Sequence, residues 1–216
     1  MRVLLTAGPT YEPLDPIRFL GNRSTGKMGY ALAEAFAAQG AEVTLVSGPS
    51  HLPDPASARI STVRVETAAE MFAAAAEVAA AADVWVFAAA VADYRPAQVA
   101  VEKIKKLGDT LTLELVKNVD IAATLGQHKR LEQFAVGFAL ETTNELAHAQ
   151  DKLHRKRFDL IVLNSLRDAG AGFGHDTNKV TVLDAAGQIV NFELQSKADV
   201  ALGLVSLILG RLTKTP

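Results

Sequence analysis

The chain has 216 residues, 49% of them apolar and 21% charged, with a net charge of −2 and no cysteine. That length and composition suit a globular protein with one buried core and argue against a disordered chain. The near-neutral charge excludes a global attraction to nucleic acid or anionic membrane, and the lack of cysteine excludes disulfides, thiolate catalysis and sulfur-ligated metal clusters.

Short β-branched and apolar runs alternate with segments of helical period. This predicts an α/β fold: a Rossmann-like, mostly parallel sheet with helices on both faces, plus a late antiparallel hairpin, in a single domain over 1–216. Arg2 to Thr6 reads as the first strand. A helix is expected from about Gly26 to Gln39, with Met28, Ala31, Leu32, Ala35 and Phe36 on one stripe and Gly40 placed to end it. Glu42 to Ser47 is a second strand and TVRVE, Thr62 to Glu66, a third.

Thr67 and Glu70 form a T-x-x-E capping box that opens an Ala-rich helix to about Ala81. VWVFAA, from Val84, is the fourth strand. Ala89 to Lys106 follows neither period and is expected to be a loop over a site. Strict alternation makes TLTLELV, Thr110 to Val116, a strand, after which Asp120 can cap a short helix.

FAVGFA, from Phe134, reads as a buried strand, Asn144 to Arg157 as a helix with a basic end, and DLIVLN, from Asp159, as another strand. Asn164 to Asn178 is a Gly-rich loop. Lys179 to Leu194 forms the hairpin, and Ser196 caps a final amphipathic helix to about Leu212. Arg2 runs into an apolar stretch too short for export, and charges interrupt the later apolar stretches before spanning length. The cytoplasm is the expected compartment, with neither membrane nor nucleic acid as partner.

Ligands of an open α/β sheet bind beyond the carboxyl ends of its strands. Those ends carry small residues: Thr6 to Thr10 including Gly8, Ser47-Gly48-Pro49, Ala88 to Asp93, Gly137-Phe138-Ala139 and Asn164. The stretch GNRSTGKMG, Gly21 to Gly29, matches seven positions of a nucleoside-triphosphate phosphate loop but has Met28 where a magnesium-liganding hydroxyl belongs. It also lies well downstream of the first strand instead of following it directly. What remains is a turn, Asn22, Arg23, Ser24, Thr25, Gly26 and Lys27, at a helix N-terminus where free N–H groups and the dipole favour an anion. Asn22 is the pointed residue there, because a carboxamide can donate to an oxyanion or accept from an amine.

Two basic clusters, Lys103-Ile104-Lys105-Lys106 and Lys152 with Arg155, Lys156 and Arg157, suit either solvated faces or a heavily anionic substrate. The five histidines have no metal-ligand spacing, so no protein-built metal site is expected. No serine stands in G-x-S-x-G, and no G-x-G-x-x-G follows the first strand.

The stretches TAGPTYEPLDPIRFLGNRSTGKMG, VTLVSGP, AAAVADYRP, EKIKK, KNVDI, GFALET, DLIVLN and FGHDTNKVTVL, in this order, closely resemble bacterial phosphopantothenoylcysteine synthetases, ligases of coenzyme A synthesis. The resemblance implies that the 4′-phosphopantothenate carboxylate attacks the α-phosphorus of CTP, expelling pyrophosphate, and that cysteine's amine then displaces CMP from the acyl-cytidylate. Mg²⁺ would travel with the nucleotide. Lys103 resembles the lysine that stabilises charge in the first step, and Asn22 the asparagine needed for the intermediate and its conversion. Ala89, Asp93, Val119, Asp120, Ile121, Ala122, Phe138, Lys152 and Lys156 match nucleotide-binding positions, which Gly8 and Ala88 flank at the strand ends.

Val119 stands where this family commonly has Pro, and Leu140 where Ala is usual. The resemblance further implies a homodimer and a phosphopantothenoylcysteine decarboxylase as a fused domain or separate subunit. Met1 suits an independent synthetase or an excised domain. The alternatives are an NAD(P)-dependent short-chain reductase, motivated by the βαβ opening and Gly8, and a non-catalytic nucleotide-binding subunit.

Overall fold

Apolar runs that are buried on both faces build the centre of the sheet. In the computed structural model, which describes all residues except 107, 142, 166–171, 173 and 213–216, the elements are β1 (Arg2–Ala7), β2 (Tyr11–Pro13), β3 (Phe19–Gly21), α1 (Lys27–Ala38), β4 (Glu42–Ser47), β5 (Ile60–Arg64), α2 (Ala68–Ala79), β6 (Val84–Phe87), β7 (Tyr94–Pro96), β8 (Leu115–Lys117), α3 (Ile121–Gly126), β9 (Phe134–Glu141), α4 (Glu145–Arg155), β10 (Leu160–Ser165), β11 (Thr177–Asp184), β12 (Ile189–Ser196) and α5 (Lys197–Leu212).

Eight strands form one sheet in the order β12-β11-β10-β9-β6-β1-β4-β5. From β10 to β5 all neighbours pair in parallel, and β11 and β12 add the expected antiparallel hairpin. The chain moves outward from β1 through β4 to β5, then returns to place β6 on the other side of β1. That reversal opens a crevice at the carboxyl ends of β1 and β6.

Side-chain alternation sorts the core into two layers. Leu5, Val84, Val86 and Val162 pack with Leu32 and Phe36 of α1 and Val200, Leu204 and Ile208 of α5. Leu4, Trp85, Phe87 and Ile161 pack on the opposite face with Met71, Leu125 and Leu153 of α2, α3 and α4. Each fully buried Leu or Phe contributes about 1.5–3 kcal/mol, which is why the central strands are near-continuous apolar runs. Trp85 keeps its one polar atom satisfied, Nε1 donating to the Ala79 carbonyl at 3.0 Å.

The helix starts follow the expected chemistry. Thr67 accepts from the Glu70 N–H while Glu70 reaches back to the Thr67 N–H, Asp120 accepts from the Ala123 N–H, and Ser196 accepts from the Asp199 N–H. Two expectations are corrected. The strand predicted over Thr110 to Val116 shrinks to β8, paired with β7 in a separate two-stranded ribbon. Leu111, Leu113 and Leu115 are exposed, because no sheet face lies beside this segment to receive them.

The third strand runs over Ile60–Arg64 instead of Thr62 to Glu66, in register with β4 from Val43 opposite Ile60. The β2–β3 hairpin has strands of three residues, too short for alternation to show. It is held by stacked Tyr11 and Phe19 rings 3.8 Å apart. Most of the Gly-rich stretch Asn164 to Asn178 lies outside the described residues. Among the described residues, no helix is long and apolar enough to cross a membrane.

Candidate functional site

Beyond their last ladder bonds, the chains leaving β1 and β6 stay paired. The Ala90 N–H donates to the Gly8 carbonyl at 2.9 Å, the Thr10 N–H to the Ala90 carbonyl at 3.3 Å, and the Ala92 N–H to Thr10 Oγ1 at 2.9 Å. Glycine is required where a third chain crosses: a Cβ on Gly48 would lie 1.7 Å from the Pro9 carbonyl oxygen. Gly8, at φ 76°, faces Gly48 so closely that its own Cβ would meet the Gly48 oxygen at 3.1 Å. These small residues let three backbones converge, and the 88–91 strip forms a floor with no side chain larger than valine.

Two cavities lie on that floor and share Ala89, Val91, Phe138 and Lys152 as walls. The larger, about 330 Å³, is bounded by Asn22, the turn Ser24 to Gly29, Ala88, and from the far edge Asn164, Asn178 and Lys197. The smaller, about 180 Å³, is bounded by Asp93, Asn118, Val119 to Ala122, Lys156 and Phe158. The predicted residues Asn22, Ser24, Thr25, Gly26, Lys27, Ala88, Ala89, Asp93, Val119, Asp120, Ile121, Ala122, Phe138, Lys152 and Lys156 thus meet around one cleft. Gly8, Arg23 and Lys103 do not line it: Gly8 is buried beneath the floor, and Arg23 and Lys103 are exposed outside.

The turn before α1 suits an anion. Gly26, at φ 82°, is the N-cap and brings no side-chain acceptor, so the first N–H groups of α1 are left uncapped at the cavity wall. Asn22 Nδ2 donates to the Ala90 and Val91 carbonyls at 2.9 and 3.2 Å. Both carboxamide protons are therefore committed, which fixes the amide orientation and leaves Oδ1, an acceptor, as the group with spare capacity.

The cations of the cleft come with internal counterions. Lys27 Nζ donates to Asp176 Oδ1 at 2.6 Å, Lys152 Nζ to Glu141 Oε1 at 2.5 Å, and Lys156 Nζ to Asp120 Oδ1 at 2.9 Å. Burial pushes the Asp120 carboxyl up, but the Lys156 hydrogen bond, the Ala123 N–H and the charges of Lys156 and Arg155 outweigh it and hold the group below its ordinary range. Asp176 is likewise lowered, chiefly by its Lys27 hydrogen bond. A polyanionic ligand would exchange these carboxylates for its own oxygens.

Two residues that line the larger cavity escaped the sequence reading. Asn178, on β11, donates from Nδ2 to Asn164 Oδ1 at 3.1 Å and is 1% exposed. Lys197, 8% exposed, donates from Nζ to the carbonyls of Gly172 and His175 at 3.1 and 2.6 Å. Burial, and then the charge of Lys27, lower the Lys197 pKa against the opposing pull of Asp176. A signal existed for it: a lysine at the first position of a helix opposes the dipole, so its cation needs another reason to be there.

The family model described as the DNA/pantothenate metabolism flavoprotein C-terminal domain matches residues 1–212. A relative named cysteine/cysteine sulfinic acid decarboxylase, from an unknown prokaryotic organism, is 50% identical over 208 residues, covering 96% of this chain and 58% of that protein. The coenzyme A biosynthesis bifunctional protein CoaBC of Vibrio cholerae serotype O1 is 46% identical over 209 residues, covering 96% of this chain and 52% of that protein. The chain thus spans little more than half the length of these curated relatives. A crystal structure of the C-terminal domain of a coenzyme A biosynthesis bifunctional protein CoaBC superposes with a TM-score of 0.83 at 41% identity, covering 99% of this chain and 96% of that one.

Proposed function

Because the chain belongs to the DNA/pantothenate metabolism flavoprotein C-terminal domain family, we propose that it is a CTP-dependent phosphopantothenate–cysteine ligase of coenzyme A biosynthesis. The observation that carries this reading is the two-lobed cleft. An uncapped helix N-terminus with Lys27 and Asn22 stands in one lobe, Lys156 and the Asp120-capped turn in the other, and Lys152 on the shared wall. Two anionic substrates meeting end to end need two such lobes, with the reacting atoms at their junction. The decarboxylase name attached to one relative belongs to a longer protein, of which this chain matches 58%.

In this reading the phosphate of 4′-phosphopantothenate lies at the α1 N-terminus, against Ser24 to Lys27, and its carboxylate extends over the 88–91 floor. The nucleotide occupies the smaller lobe, with Val119 to Ala122 and Phe138 around the base and ribose and Lys152 and Lys156 on its phosphates. The carboxylate oxygen bonds to the α-phosphorus and the bond to pyrophosphate breaks. Lys103 would reach the developing charge from the exposed segment outside the cleft.

The cysteine amine then bonds to the acyl carbon, the bond from that carbon to the phosphate oxygen breaks so that CMP leaves with the oxygen and its electron pair, and the amine gives up a proton. Since Asn22 has both amide protons committed, its part is to accept from that amine through Oδ1 and orient the nitrogen lone pair. Mg²⁺ carried on the nucleotide would neutralise charge on the triphosphate. Asp93 lines the smaller lobe and could supply a carboxylate to that cation. A homodimer, a cytoplasmic setting and a decarboxylase partner belong to the same proposal; relatives named bifunctional support the last.

The test is pyrophosphate release from purified protein with Mg²⁺ and 4′-phosphopantothenate, with CTP or ATP and with or without cysteine. Release with CTP that is sustained when cysteine is present is the expected result. Nucleotide binding without any release, from folded protein, would leave a binding subunit and refute the ligase.

A further inference from the structure

The segment that carries Lys103 is tied to the rest of the chain at Ile104. Asp15, 3% exposed, accepts on Oδ1 from the N–H groups of Ile17 and Arg18, both at 2.9 Å. On Oδ2 it accepts from Arg18 Nε at 3.0 Å and Nη2 at 2.5 Å, and from the Ile104 N–H at 3.1 Å. Arg18 Nη2 in turn donates to the Ile104 carbonyl oxygen at 2.9 Å. The buried carboxylate and its arginine thus grip both polar atoms of Ile104, the residue next to Lys103. Upstream, the Ala100 N–H donates to the Leu14 carbonyl at 3.0 Å.

We propose that Asp15 is a positioning residue for Lys103: through the two contacts at Ile104 it sets where the lysine-bearing segment stands outside the cleft. This rests on the reading that Lys103 assists acyl-cytidylate formation. The physical case is the burial. A carboxylate with no exposed side-chain surface is costly unless its lone pairs are filled, and the Ile104 N–H is one of the donors that fill them. Releasing the segment strips a donor from a buried anion, so the segment is held far more firmly than an exposed loop joined by surface contacts. Arg18 keeps this carboxyl well below the ordinary carboxylate range, so the grip persists at any pH at which the enzyme would be assayed. Lys103, exposed on that segment, has among the described residues no such anchor of its own, and a shift of about 1 Å in a catalytic group can cost about a hundredfold in rate.

The experiment compares Asp15→Asn, Lys103→Gln and the double variant in pyrophosphate release, with amide hydrogen exchange at Ile104 and thermal melting as parallel readouts. For Asp15→Asn we expect Ile104 exchange at least about tenfold faster and kcat for pyrophosphate release lowered about tenfold or more, with the KM for CTP nearly unchanged. The double variant should be no slower than Lys103→Gln alone. Should Asp15→Asn fail to fold, Arg18→Gln keeps the backbone donors of Asp15 and removes the grip on the Ile104 carbonyl, and the same readouts apply. Slow exchange at Ile104 in the folded variant overturns the anchoring. Faster exchange with an undiminished rate, while Lys103→Gln is inactive, overturns the positioning role. A fully active Lys103→Gln overturns the catalytic reading of Lys103 and the positioning role with it, leaving the anchoring measurement to stand separately.

Discussion

Gly137→Ala adds one methyl group at the point where β9 passes the ring of Phe158. A Cβ there would lie 2.0, 2.4 and 2.5 Å from Cε2, Cδ2 and Cζ of that ring, against an ordinary carbon–carbon contact of about 3.5–4.0 Å. The ring must retreat by about 1.5–2 Å to restore contact distance. Its backbone cannot follow easily: the Phe158 N–H is bonded to the Leu153 carbonyl at 2.9 Å, the Asp159 N–H to the Ala135 carbonyl at 2.8 Å, and Arg157 before them is held at φ 56°.

The Phe87 ring, 5.8 Å away, blocks one direction, and the open direction is the smaller cavity, which Phe158 lines. Overpacking costs about 1–3 kcal/mol, and an available cavity places this site in the lower half, about 1–2 kcal/mol. For a chain of this size that lowers Tm by about 2–8 °C. Because relief moves the ring into the proposed nucleotide lobe, the KM for CTP should rise several-fold in pyrophosphate release.

Thermal unfolding and kinetics on Gly137→Ala, Phe158→Leu and the double variant decide the matter. Shortening the ring should remove the clash, so the two substitutions should couple favourably by about 1 kcal/mol or more. A Gly137→Ala protein that melts with the parent, or strictly additive effects, would refute the reasoning.

Three further outcomes follow from the same geometry. Asn22→Asp places an anionic oxygen against the Ala90 and Val91 carbonyls, so we expect acyl-cytidylate to form and accumulate without conversion, with stability changed by less than about 1 kcal/mol; normal product formation removes Asn22 from the second step. Thr67→Ala deletes one arm of the capping box of α2 and should cost about 0.5–2 kcal/mol in denaturant unfolding, an unchanged midpoint counting against it. Asp120 is held below its ordinary 3.8, so its ionisation stabilises the fold above that pH, and the contribution fades as pH falls through the lowered folded value. Lys156→Ala should therefore lower stability near neutrality and converge with the parent in strong acid, whereas a gap constant across the titration would contradict the assignment.

Much of the fold was legible because its central strands obey one rule. Val84-Trp85-Val86-Phe87 and Leu160-Ile161-Val162-Leu163 are buried on both faces and read as strands without help from context. Caps at Thr67, Asp120 and Ser196 were equally local, since each hydrogen bond spans three residues. A different rule, alternation, misled at Thr110 to Val116, where Leu111, Leu113 and Leu115 are left exposed. In the site, short-range pattern marks the small residues at the strand ends and the turn before α1, whereas Val119 to Ala122, Lys152 and Lys156 were given as nucleotide-binding positions by the family resemblance. Asn178 and Lys197 were missed because their roles arise from partners far off in sequence, Asn164 and the carbonyls of Gly172 and His175. For Lys103 the family resemblance supplies a role, while the geometry leaves it outside the cleft, tied on through Ile104.

The larger cavity takes its walls from opposite ends of the chain. Asn22 and Lys27 lie near the start, Asn178 and Lys197 near the end, and the Lys27–Asp176 pair joins positions 149 apart. A chain emerging from the ribosome can lay down β1 to β10 and still lack one side of that cavity until β11 and the first turn of α5 arrive. Pairing across such separations is slow to form, since the loop must close before the contacts reward it. The nascent protein therefore passes through a stage in which its helix N-terminus is already shaped for an anion but cannot enclose one. Competence to bind would switch on once α5 has emerged and packed against α1.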